Sequence, residues 1–112
     1  MVDREPVVLF VTAPSTDVAE RIAKALVSEH LAACVNLLPG VRSLYWWQGE
    51  VHDDPEFLMV IKSCRDRVPD LTARVVALHP YDVPEVVAWP LVDGFAPYLD
   101  WVRSSTLPGG TP

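Results

Sequence analysis

The sequence is poor in cysteine and in basic residues, and it has no long apolar run. Only two cysteines occur in 112 residues, Cys34 and Cys64. That is too few for the disulfide framework of a small secreted domain. Nine Lys and Arg stand against fifteen Asp and Glu, a formal net charge of −6. No Lys/Arg cluster is present to displace counterions from a phosphate backbone, so nucleic acid is not an expected partner. No apolar stretch approaches the ~18 residues that a membrane span needs. The opening residues, MVDREP, are charged and lack the apolar segment of a signal peptide. These absences predict a chain with no membrane partner, located in the cytoplasm.

Half of the residues are apolar and 21% are charged, the profile of a folded globule. The length suits one domain, read here as residues 1–103 with a flexible tail over 104–112. Residues 7–11, VVLFV, read as a strand. A helix follows over about 16–29, where Val18, Ile22 and Leu26 recur at helical spacing. Asp17 and Glu20 have the spacing of a capping box at its start. The run AACVNLLPGVRSLYWW is a long strand interrupted by Pro39-Gly40, which predicts a bulge. Gln48-Gly49 is a tight turn, and PEFLMVIKS returns as the second arm of a long hairpin. Val68, Leu71, Val75 and Leu78 then mark one face of a second helix, capped by Asp66, with Pro69 in its first turn. EVVAW is a fourth strand, and DGFAPYLDWVR a short terminal helix. The order β-α-β-β-α-β is the ferredoxin-like, split βαβ pattern of the α+β class, with an extra C-terminal helix.

The strands are apolar at consecutive positions, as in VVLFV, LYWW and FLMVI. Successive strand residues point to opposite faces, so Trp46 and Trp47 cannot enter one core together. Two helices cover only one face of the sheet. Burying one large apolar side chain is worth roughly 1.5–3 kcal/mol, so the second face is expected to find cover. Self-association of identical subunits is the economical solution.

Four stretches carry candidate chemistry. In LHPYDVPEVVAWP, Pro80 and Pro84 stiffen the backbone and hold His79, Asp82 and Glu85 in place. Either these side chains cap and brace a connector, or they face a cleft between subunits that takes a cation or small ligand. Cys34 and Cys64 fall close together across the hairpin if Trp47 pairs with Glu50, with a shift of one at the bulge. Two thiolates, with Met59 or His79 nearby, suit soft Cu(I), whereas reduced buried cysteines usually act as small hydrophobes. TAPSTD, before the first helix, has neither the Gly nor the Arg of a phosphate cradle, so ordinary capping explains it better. Arg42, Lys62, Arg65 and Arg67 form either an anion site or a set of paired surface charges. No Ser-His-Asp or Cys-His arrangement stands out, so no catalytic role is expected.

The segments LAACVNLLPGVRSLYWWQGEV, FLMVIKS and LHPYDVPEVVAWPLVDGFAPYLDWV together resemble the CutA family of divalent-cation-tolerance proteins. AACVN, PGV, YWW.G and HPY.VPE occur in the family's order, and the resemblance spans about residues 7–103. Gln48, Asp82 and Trp89 depart from the usual Glu, Glu and a smaller residue. The resemblance implies a ferredoxin-like subunit in a homotrimer built like PII-type regulators, with a link to copper or another divalent cation and no defined catalysis. The candidate metal ligands among the residues weighed above are Cys34, His79, Asp82 and Glu85. The alternative is a PII-like signalling trimer that binds a small effector between subunits.

Overall fold

A computed structural model describes residues 4–109. The elements follow the expected order: β1 (Pro6–Ala13), α1 (Thr16–Ser28), β2 (Cys34–Trp47), β3 (Glu50–Cys64), α2 (Val68–Leu78), β4 (Val87–Pro90) and α3 (Ala96–Ser105). The sheet order is β2-β3-β1-β4, with β1 antiparallel to both β3 and β4.

Helix α1 forms because its apolar residues recur on one stripe. Ala19, Ile22, Ala23 and Leu26 are buried at i, i+3, i+4 and i+7. Its cap is not the box expected from Asp17 and Glu20. Ser15 is the N-cap, and its hydroxyl accepts from the Val18 amide. Ser15 stands two residues earlier, where the backbone is still extended, as a capping residue requires. Helix α2 buries Leu71 and Val75, with Pro69 in its first turn. Asp66 does not cap it. A 3-10 turn over Arg65–Arg67 precedes the helix, and the Asp66 carboxylate accepts from Arg4 at 2.5 Å.

The hairpin is longer than the apolar run alone suggested. Trp47 pairs with Glu50 across a turn in which Gln48 and Gly49 both have positive φ, 51° and 79°. Such a two-residue turn matches the right-handed twist of its strands. The register slips by one between Leu38 and Val41, where Gly40 takes φ of 81°. Pro55 is tolerated because β1 stops at Ala13, opposite Phe57, leaving that length of β3 a free edge. The arms beyond this point project from the body. The molecule measures 44 × 26 × 25 Å with a radius of gyration of 14.5 Å, against roughly 13 Å for a compact chain of this size.

Leu9, Val11, Met59 and Ile61 face the two helices and are fully buried with Ile22, Leu26, Leu71 and Val75. The opposite face carries Phe10, Leu58, Leu38 and Trp89. Helix α3 covers only one end of it, where Val102 packs on Ala33 and Cys64. This helix runs past Arg103 to Ser105, and Thr106 is fully buried, so residues 104–106 pack with the folded body. The extension is fastened by Arg4, which donates to the Arg103 carbonyl at 2.6 Å and to Thr106 Oγ1 at 3.1 Å. The ends of the expected division, residues 1–3 and 110–112, lie outside the described residues.

Candidate functional site

The expected ligands do not gather in one place. His79 ends α2, is buried, and has both ring nitrogens engaged. Its Nδ1 accepts from the Tyr81 amide at 3.1 Å, so Nε2 carries the proton and donates to the Thr12 carbonyl at 2.7 Å. No ring lone pair is left for a metal. Pro80 stops the helix, so the chain turns there and the imidazole satisfies the turning backbone.

Cys34 pairs with Lys62, and Cys64 with Pro6. The bulge moved the register away from a direct Cys34–Cys64 pair. Cys34 Sγ lies 3.6 Å from the Tyr98 hydroxyl of α3, while Cys64 is fully buried beside Val102. Met59 sits an odd number of residues from Lys62, so it points to the opposite face, beneath the helices. The thiolate–thioether cluster suited to Cu(I) is therefore not formed. Burial, with the bond to Cys34, pushes the Tyr98 phenol up to about 12.

The four basic residues are paired. Arg42 makes two bonds to Asp53, at 2.8 and 2.5 Å. Lys62 donates to Asn36, Arg65 lies 3.8 Å from Glu5, and Arg67 reaches Asp70 at 3.4 Å. Arg42 holds the Asp53 carboxyl below the usual carboxylate range.

What does assemble is a groove of about 890 Å³ between the hairpin and residues 80–85. Asp82 and Glu85 line it; Cys34 and His79 do not. Glu56, Tyr45 and Tyr81 line it as well. Glu56 is 7% exposed, and its Oε2 accepts from the Tyr81 hydroxyl at 2.9 Å. Burial, followed by the bond to Glu56, pushes the Tyr81 phenol far above its ordinary value, so it stays a donor. Tyr45 donates to Asp54 Oδ2 at 2.6 Å and stacks on His52. That bond to Asp54 raises the Tyr45 phenol above its usual range. Sequence reasoning passed over Glu56. The available signal was a carboxylate placed in phase with Leu58 and Val60, on the sheet face that the helices do not cover. Among the described residues, no three His, Cys, Asp or Glu side chains converge as a cation cage.

The comparisons with known proteins decide the family. The model of the CutA1 divalent ion tolerance protein matches residues 7–105. The chain belongs to the CutA family. The divalent-cation tolerance protein CutA of Thermus thermophilus is 54% identical over 99 residues, covering 88% of this chain and 96% of that protein. Human protein CutA is 50% identical over 97 residues, 87% of this chain. The chain spans 54% of the human protein's length and 56% of that of the rice chloroplast CutA 1. Among solved structures, CutA1 from Oryza sativa superposes with a TM-score of 0.90 at 44% identity, covering 94% of this chain and 96% of that one. The Thermus thermophilus CutA1 structure gives 0.85 at 50% identity, covering 96% and 99%. The ferredoxin-like architecture read from strand and helix periods is thus that of CutA1 structures.

Proposed function

We propose that this chain is a non-catalytic cation-binding protein acting in divalent-cation tolerance as a cytoplasmic homotrimer. The observation that carries the reading is the acidic groove, lined by the exposed Asp82 and Glu85 and by the buried Glu56. Carboxylate oxygens suit hard and borderline divalent cations. Among the described residues too few donors converge to close a coordination shell, so the remaining ligands come from a neighbouring copy. Copper is the cation that the family resemblance favours. His79 then holds the connector, and Cys34 would join only across a subunit boundary.

The need for neighbours is supported by surface composition. Trp46 is 74% exposed, Phe95 75% and Val92 96%, and a single copy would present these side chains to water. The test is calorimetric titration of the purified oligomer with Cu²⁺ and Zn²⁺. Micromolar or tighter binding, weakened about tenfold or more by the combined Asp82→Ala and Glu85→Ala change, is the expected outcome. Affinity no better than about millimolar, unaltered by those changes, removes cation binding at this groove.

A second reading, a PII-like trimer that binds a small effector, is favoured by the size of the groove. At about 890 Å³ it is far larger than a bare ion requires.

A further inference from the structure

We propose that Cys34 and Cys64 form a reversible dithiol beneath α3, closed to an intrachain disulfide by a small-molecule disulfide such as oxidised glutathione. Neither cysteine lines the groove between the hairpin and residues 80–85, so the inference stands apart from cation binding there.

The register comes first. Cys34 pairs with Lys62 across the β2–β3 ladder, so their side chains share a sheet face. Cys64 lies two residues beyond Lys62 and takes that same face. Helix α3 supplies an independent observation. Its Tyr98 hydroxyl lies 3.6 Å from Cys34 Sγ, and its Val102 packs on Cys64. Tyr98 and Val102 stand at i and i+4 of one helix, so both thiols lie under successive turns of the same face.

The two cysteines are diagonal neighbours. Such residues stand about 7–8 Å apart at Cα, with Cβ atoms closer, and a disulfide spans about 4.4–6.8 Å. Closing the bridge therefore takes a backbone shift of about 1 Å. The position allows that shift. Cys34 is the first residue of β2 and Cys64 the last of β3, and the pairing of these strands begins at Cys34 with Lys62 without reaching Cys64. A bridge made by such a shift opens readily under reductant, which suits thiols of a reducing compartment.

Access sets the order of the steps. Cys34 is half-buried and Cys64 fully buried. The Cys34 thiolate attacks one sulfur of oxidised glutathione, whose S–S bond breaks, and one glutathione leaves as thiolate. Cys64 then loses its proton to solvent and attacks the Cys34 sulfur. The mixed disulfide breaks and the second glutathione leaves. Both protein thiols are oxidised, the small disulfide is reduced to two thiols, and the protein's two protons end on them. Cys34 gives up its contact with the Tyr98 hydroxyl in the process.

The experiment exposes the full chain to oxidised glutathione and then alkylates it in denaturant. Intact mass is expected to show both thiols lost, no glutathione retained and no second chain attached, all reversed by dithiothreitol. Peptide mapping is expected to join Cys34 to Cys64. Cys64→Ala is expected to hold glutathione on Cys34, because the resolving thiol is gone, and Cys34→Ser to leave Cys64 unmodified in the folded protein. If Cys64→Ala melts early, the wild-type peptide map with Cys34→Ser decides. Glutathione retained on wild-type Cys34 beside a free Cys64 overturns the inference. So does a bridge between two chains, or a pair of thiols still free unless denaturant is present.

Discussion

His79 shows how one side chain is claimed by its backbone. A proline follows it, so the helix ends and two backbone polar groups need partners. The imidazole serves both, the Tyr81 amide and the Thr12 carbonyl. Replacing it with Ala leaves those groups unpaired at a buried position, and His79→Ala is expected to cost about 1–3 kcal/mol in urea unfolding. Tyr98 carries a pH dependence. Its phenol is pushed from the ordinary 10.0 up to about 12 by burial and by Cys34. Between those values the unfolded chain has lost the proton while the folded one keeps it. Stability from this group is therefore fully present below pH 10 and falls as pH rises toward 12. Tyr45, Tyr81 and Tyr98 are all raised, so phenolate absorbance at about pH 11 is expected to be lower in the folded wild type than in unfolded protein, with Tyr98 supplying the step near 12. Tyr98→Phe removes that late step; an unchanged titration in the variant refutes the assignment.

Two elements depend on single local devices. The hairpin turns on Gln48 and Gly49, both in the left-handed region. Glycine accepts that conformation freely, whereas glutamine does so at a cost. Gln48→Asn is expected to raise hydrogen-exchange protection around Trp47 and Glu50 by a few tenths to about 1 kcal/mol. Helix α3 is tied down by Arg4, which holds Asp66, the Arg103 carbonyl and Thr106 together. Arg4→Ala is expected to destabilise the protein by about 1–3 kcal/mol and to open α3 to proteolysis before the rest. Both helical stripes and the hairpin turn were legible, because hydrophobic period and positive-φ residues are local signals. The α1 cap was misplaced by two residues, since Ser15, Thr16 and Asp17 are all cap formers and only the backbone path selects among them. The end of α3 was missed because its anchor, Arg4, lies at the other end of the chain.

For the whole molecule, the apolar second face and the projecting hairpin set the expectation. Sedimentation at low micromolar concentration is expected to give a trimer. Trp46→Glu, at a position 74% exposed in the single chain, is expected to shift it to smaller species if the hairpin packs between copies. A well-folded wild-type monomer at that concentration overturns the trimer and any ligand set shared between subunits.

Sequence alone determined the element order, the family and the apolar character of both sheet faces, since periodicity and motif spacing survive without coordinates. It also placed Asp82 and Glu85 on a stiff connector. Which carboxylates share a groove was decided only in three dimensions. Glu56 lies 26 residues before Asp82 and shares a groove with it only because the hairpin and residues 80–85 form its two sides. The fate of Cys34 and Met59 was likewise decided by a one-residue bulge at Gly40. In a strand the register sets which face each side chain takes, and a single inserted residue resets every pairing beyond it.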